Sequence, residues 1–237
     1  MAKAHESWRV LPHLDIEELG ENLWRVQGSL EGMALKRVMT IARQQDEKLV
    51  IHSGIALEEA AMKRIDDWGE VGTIIVPNGY HRLDAPAFKQ RYPEARVICP
   101  RGARKKVAEV VPVDGVYEDF VGDDTVRLQT LGGVKEAEGV MVVTSADGAT
   151  LVFNDVLFNM PHGKGLAGFI FRYLTQSTGG PRVSRVVRWF VMRDRALLRH
   201  SFERLADTPD LKRIIVSHHR MITDDPAGTL RKVAATL

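Results

Sequence analysis

Three short apolar runs in this chain each end in side chains that can hold a metal ion or carry a proton. Thr73-Ile74-Ile75-Val76-Pro77 runs into Asn78-Gly79-Tyr80-His81-Arg82-Leu83-Asp84, Leu151-Val152-Phe153 into Asn154-Asp155, and Ile214-Ile215-Val216 into Ser217-His218-His219. Each run reads as a buried strand, so each polar cluster could project from the same edge of a sheet. If the three ends converge, they line a cleft with imidazole and carboxylate, which suits a hard or borderline divalent metal. Each group also has a plainer reading. Asp155 can simply form a turn after a strand, and His81 can bond to loop backbone. Neighbours on an extended chain point to opposite sides, so at most one of His218 and His219 can face a site.

The elements that must position these groups follow from hydrophobic periodicity. Strands are expected at 23–26, 38–42, 49–52, 71–76, 95–99, 116–120, 126–130, 139–144, 150–153 and 211–216. Leu57 to Trp68 reads as an amphipathic helix closed by Gly69. Further helices are expected at Ala85 to Tyr92, Arg101 to Val107 and Pro226 to Leu237, the last with Asp224 and Asp225 as caps. Ser145-Ala146-Asp147-Gly148 is a hairpin turn. A long segment, Leu166 to Leu205, is helical in pattern but broken at Gly179-Gly180-Pro181, with Pro181 suited to the first turn of a new helix. Strands, strand–helix alternation, strands again and closing helices imply two packed sheets with helices outside.

Composition narrows the possibilities. The chain has 237 residues and a net charge of +2, so no general pull on nucleic acid or acidic lipid is implied. The single cysteine, Cys99, excludes an internal disulfide and a thiolate-rich zinc cluster, and sits in an apolar run as a core residue. The first twenty residues lack an apolar signal core, and no stretch approaches the ~20 uncharged residues that span a bilayer. A cytoplasmic protein is the expectation.

The layout resembles the metallo-β-lactamase fold superfamily over nearly the whole chain. Asn22-Leu23-Trp24-Arg25-Val26 is similar to the family's first strand, and Leu49-Val50-Ile51-His52-Ser53-Gly54 stands where an apolar strand ends in Asp-(Thr/Ser)-Gly. Pro77 to Asp84 occupies the place of the HxHxDH metal motif. Leu151 to Asp155 matches the strand carrying the bridging Asp, and Val216 to His219 the strand ending in Gly-His. The resemblance implies an α+β fold, a four-layer αββα sandwich, as a single domain over 1–237 with a helical insertion at about 165–206. It also implies metal-dependent hydrolase chemistry.

The departures fall on the ligands. HxHxDH cannot be laid on residues 78–84 in any register that keeps its ligands: with the first His at Asn78, the later positions fall on Tyr80, Arg82 and Leu83. The family's next His, in a Pro-Gly-His context, is replaced by Thr130-Leu131-Gly132-Gly133, and its Asp near residue 52 is His52. Asp155 and His218 carry over, and His81 carries over by its place in the loop. A reduced site of His81, Asp155 and His218 is therefore expected, holding one zinc, iron or manganese ion or none, with His81 as third ligand or as catalytic base. His219, His52, Asp84 and His162 are the spare candidates. The expected function is hydrolase-like, on an ester or thioester-type bond by fold analogy. The rival is a non-catalytic binding or scaffold protein that has kept the fold without the metal centre. A small-molecule substrate is the implied partner, and stacking aromatics for RNA are not apparent.

The segment Arg172 to Arg204 holds eight arginines against Asp194 and Glu203, interleaved with Phe171, Tyr173, Trp189, Phe190 and Phe202. It reads either as a lid or a partner or oligomer surface for an anionic partner, membrane headgroup or nucleic acid, or as an amphipathic helix with its aromatics on the sandwich and its arginines in solvent. The second reading is the expected one.

Overall fold

The computed structural model describes residues 3–237. Parallel strands covered on both faces read as unbroken apolar runs, and the first sheet is built around three of them. It comprises β1 (Glu17–Gly20), β2 (Leu23–Leu30), β3 (Met33–Arg43), β4 (Leu49–His52), β5 (Val71–Ile75), β6 (Arg96–Cys99) and β7 (Gly115–Val116), in that order across the sheet. β1 to β4 are antiparallel, and β4 to β7 are parallel. The second sheet holds β8 (Val126–Thr130), β9 (Gly139–Ser145) and β10 (Gly148–Val152). A separate ribbon pairs β11 (Phe158–Met160) with β12 (Gly180–Arg182), and β13 (Leu211–Ile215) then returns beside β10, parallel to it.

Side-chain parity sorts the core into layers. Val50, Ile75 and Ile98 of the first sheet meet Met141, Val143, Val152 and Ile215 of the second in one buried cluster between the sheets. Their chain neighbours point outward. Ile51, Ile74 and Val97 pack under α1 (Glu59–Trp68), α2 (Ala85–Arg91) and α3 (Arg104–Val107), through Met62, Ile65, Phe88 and Val107. On the other side lie α5 (Arg195–Ala206) and α6 (Pro226–Ala234), while the short α4 (Gly165–Phe169), which precedes them in the chain, is mostly exposed. Val142, Leu151 and Ile214 pack there against Leu198, Phe202 and Leu230 of α5 and α6. The result is the expected αββα sandwich. Each fully buried Phe, such as Phe88 and Phe202, contributes roughly 2–3 kcal/mol of transfer free energy.

Several expected elements differ. The run 116–120 is not a strand beyond Val116: Asp119 accepts a hydrogen bond from the Val116 amide at 2.9 Å, which curls Tyr117–Asp119 into a 3-10 turn. β1 has no apolar alternation and escaped the sequence reading. The 166–205 segment is not two helices: α4 continues into a π-helical turn over Ile170–Leu174, a second π turn covers Val187–Val191, and only α5 is a full helix. Pro181 lies in β12 opposite Asn159, not in a helix's first turn. A two-stranded ribbon leaves an edge that needs no donor from Pro, and Gly179 and Gly180, at φ 94° and 102°, turn the chain into it. The aromatic face does not pack as expected either. Phe202 is buried, but Tyr173, Trp189 and Phe190 are exposed. Among the described residues, no helix is long and apolar enough to cross a membrane.

Alternation also explains His52. It has the parity of Val50, so it faces the space between the sheets, buried, with its Nε2 unpartnered. Burial, helped by the nearby His81, lowers its pKa from 6.5 to about 3. An unfolded chain protonates this ring below pH 6.5 and the folded one does not, so stability is lost as pH falls through that range. His52→Leu is therefore expected to gain about 2 kcal/mol on the wild type between pH 8 and pH 5, measured by urea unfolding at both values.

Candidate metal centre

In open sheets, ligands bind beyond the carboxyl ends of parallel strands. The loops leaving β4, β5, β10 and β13 meet at such a place, and they bring Ser53, His81, Asp155 and His218 together. His81 Nε2 lies 3.1 Å and His218 Nε2 3.0 Å from the same oxygen, Asp155 Oδ1. The ligating atoms of the three residues all lie within 4.8 Å of one another, and they form the one such group among the described residues. Metal–ligand bonds are ~2 Å, so one ion can reach all three.

Each imidazole is oriented from behind. His218 Nδ1 donates to the Lys36 carbonyl of β3 at 2.6 Å. A carbonyl cannot donate, so Nδ1 carries a proton. The other nitrogen, Nε2, faces a carboxylate oxygen and must present a second proton or a metal ion there. Such second-sphere bonding is the common support of a metal-ligating histidine. His81 Nδ1 lies 3.2 Å from Ser53 Oγ, and the Phe158 ring stacks on His218 with centroids 5.7 Å apart. Ser53 and His219 both adopt left-handed backbone, at φ 58° and 66°. Two non-glycine residues in this region beside one site store local strain, about 1 kcal/mol or more each.

Asn78 organises the floor. Its Oδ1 accepts from the Tyr80 and His81 amides at 2.7 and 2.9 Å, which folds the loop and places His81. Its Nδ2 donates to Asp155 Oδ2 at 2.8 Å and to Glu138 Oε1 at 2.9 Å. Glu138 also accepts from the Val156 amide, and Asn154 bonds to Ser217. A neutral amide thus bridges the half-buried carboxylate of Asp155 and the buried carboxyl group of Glu138, at the position where the sequence comparison placed the first His of HxHxDH.

The electrostatics follow. Burial opposes ionisation of Asp155, but the charge of His81 and hydrogen bonds from both histidines outweigh it and hold the carboxyl well below its usual range. Burial likewise opposes charging of His218, and the hydrogen bond to Asp155, with its charge and the Lys36 carbonyl, reverses the sign, so the pKa is raised. Glu138 lacks a cationic partner. Burial first, then the Asp155 charge, pushes it up to about 8, against the pull of Asn78, Val156 and Asn154.

The residues present fit one ion and not two. The floor that could take a second holds Asn78, Asn154 and a carboxyl group, with no further imidazole. The spare candidates lie elsewhere. Asp84 is buried in an ion pair with Arg37 at 2.6 Å and also bonds His5 at 2.6 Å. His162 is exposed and bonds Thr178. His219 is half-buried, and its pKa is lowered by burial, then by the His218 charge. His52 lies between the sheets. Beside the three ligand candidates opens a cleft of about 300 Å³, walled by Leu30, Met33, Leu35, Tyr80 and Leu83, with the buried Arg37 also lining it.

Sequence reasoning missed Ser53, Glu138, Phe158 and the Lys36 carbonyl. Ser53 had a signal, since Ser-Gly directly follows a buried strand. Glu138 directly precedes the apolar Gly139–Ser145 run, where no motif or strand end marks it. A backbone carbonyl has no sequence signature.

No protein-family model matches the chain, and no curated protein matches it. Solved structures do. DIM-1 metallo-β-lactamase, in a crystal exposed to ceftazidime, aligns with TM-score 0.64 at 12% identity, covering 96% of this chain and 99% of that one. A metallo-β-lactamase from Hirschia baltica aligns at 0.61 and 12%, covering 94% and 98%. FIM-1 from Pseudomonas aeruginosa, in its mono-zinc form, aligns at 0.60 and 10%, covering 98% of both. At these identities the likeness shows the fold.

The raised Glu138 carboxyl has a measurable consequence in metal-free protein. The unfolded group ionises near 4.5 and the folded one near 8, so the wild type loses stability as pH rises between those values. Glu138→Gln does not titrate. The stability difference is expected to shift toward the variant between pH 5 and pH 9, on the order of a few kcal/mol by chemical denaturation at both values.

Proposed function

We propose that this chain, built on the metallo-β-lactamase fold, is a hydrolase-like protein holding one divalent ion on His81, Asp155 and His218. The observation that carries the reading is the direction of His218. Its Nδ1 is committed to the Lys36 carbonyl and its Nε2 points at Asp155 Oδ1, with His81 Nε2 aimed at the same oxygen. A nitrogen aimed at a carboxylate needs a second proton or a bound cation there, and two imidazoles with one carboxylate suit zinc, iron(II) or manganese(II). The mono-zinc form of FIM-1 supports one ion as a workable load for this fold. Such an ion supplies a Lewis acid and brings the pKa of bound water toward ~7.

The chain's own residues do the remaining work. Lys36 and Ser53 hold the two rings in orientation, and Asn78 holds Asp155 through its second oxygen. Phe158 covers one face of His218 and keeps water from it. The apolar cleft walls favour a substrate with a hydrocarbon portion beside the reacting bond, and an ester or thioester meets that description. If the ion takes only Asp155 and His218, His81 stays within reach of the cleft as a base.

One observation favours the rival, a binding or scaffold protein. Asp155 is already satisfied without an ion, by Asn78 on one oxygen and the two imidazoles on the other. Metal content of tag-free protein, measured with hydrolysis of nitrophenyl esters and thioesters, separates the two. About one ion per chain is expected, with affinity falling more than about a hundredfold in His218→Ala and Asp155→Ala, and hydrolysis lost with it. Metal content that neither substitution changes sinks the metal reading, and metal without hydrolysis leaves the binding protein.

A further inference from the structure

The exposed aromatic surface of the 156–193 segment has no role in the site. These 38 residues contain Lys164, Arg172, Arg182, Arg185, Arg188 and Arg193 and no Asp or Glu. The segment is therefore +6, while the rest of the chain, with 27 basic and 31 acidic residues, is −4. None of the six cations forms an ion pair among the described residues. Their hydrogen bonds go to neutral oxygens: Arg185 to the Tyr173 carbonyl, Arg188 to Thr236 and Arg182 to the Gly179 carbonyl.

The same segment carries eight of the thirteen large apolar side chains that the described residues expose. Leu166, Trp189 and Phe190 are 76%, 70% and 67% exposed, with Phe169, Tyr173 and Leu174 beside them in chain order. The two helical turns that bear them are tied together, since the Arg185 amide donates to the Thr175 carbonyl at 2.8 Å. A groove lined by Arg182, Arg185, Arg188, Trp189 and Lys232 runs along the second turn. Soluble monomers rarely leave such a cluster in water.

We propose that this surface docks on an anionic lipid bilayer, with the apolar side chains at the level of the acyl boundary and the arginines among the headgroups. Short helical turns bearing Trp, Phe and Leu with an unneutralised basic rim have the composition of interfacial anchors. No described helix can span the bilayer, so the chain lies on the membrane rather than through it. The charge selects among occupants. A two-fold contact with a second copy would set +6 against +6, because an isologous interface pairs the same patch with itself. Nucleic acid would meet the arginines, but it offers no acyl boundary for Leu166 and Leu174. Anionic lipid satisfies both halves of the surface.

Co-sedimentation of the full-length chain with vesicles tests this. Vesicles of phosphatidylcholine with about 30% phosphatidylserine are expected to bind it at about 0.05 M salt and to release it at about 0.5 M, while phosphatidylcholine alone binds poorly. Arg172→Gln and Arg193→Gln, both at exposed side chains, are each expected to weaken binding about fivefold. The double variant Trp189→Ser, Phe190→Ser should abolish it, with an unchanged circular dichroism spectrum showing the fold intact. Absence of vesicle binding at low salt, or binding that none of these substitutions changes, overturns the proposal. So does a concentration-dependent dimer, or RNA binding, that the double variant removes while vesicle binding is missing.

Discussion

One carboxylate oxygen organises this molecule's chemistry. Asp155 Oδ1 receives two imidazole nitrogens at 3.0 and 3.1 Å, from loops that follow different strands in different sheets. Bringing them together requires the sandwich. β5 must end beside β4 in the first sheet, and β10 beside β13 in the second, with the two sheets packed through Val50, Met141 and Val152. The site is a seam between the two sheets, and its ligand candidates come from both sides of that seam.

The surroundings show what this arrangement retains and what it lacks. At the position that corresponds to the first His of HxHxDH, Asn78 supplies an amide. An amide gives hydrogen bonds to two carboxylates but no positive charge, so one of them, Glu138, is left with a pKa near 8. The other, Asp155, keeps its charge because two histidines face it. This asymmetry follows from counting cations: the pocket has enough for one carboxylate. What argues against a second ion is the donor set: beyond His81, Asp155 and His218 the floor offers two amides and a carboxyl group but no further imidazole.

Much of the fold was legible because strand parity is a strict code. Leu49 to His52 alternates between the helix layer and the inter-sheet layer residue by residue, and the same parity buries His52. Asp155 and His218 were legible as polar groups at the ends of apolar strands. The Lys36 carbonyl was not, because backbone acceptors look alike in every sequence. Glu138 was not, because its burial depends on the return of the loop before β9. The 165–191 surface misled for a physical reason. Periodicity says that apolar residues share a face, and it does not say what covers that face. Trp189 and Phe190 are both left bare.

The central claim is that His218 Nε2 and Asp155 Oδ1 would both hold a divalent ion, which would displace the proton that His218 otherwise presents to Asp155. Calorimetric titration of metal-free protein with zinc near pH 6, repeated in buffers of different ionisation enthalpy, measures both stoichiometry and proton release. The account predicts saturation at one ion per chain with release of about one proton, and loss of both in His218→Ala. Saturation at two ions, or binding of one ion that His218→Ala leaves intact, would contradict it.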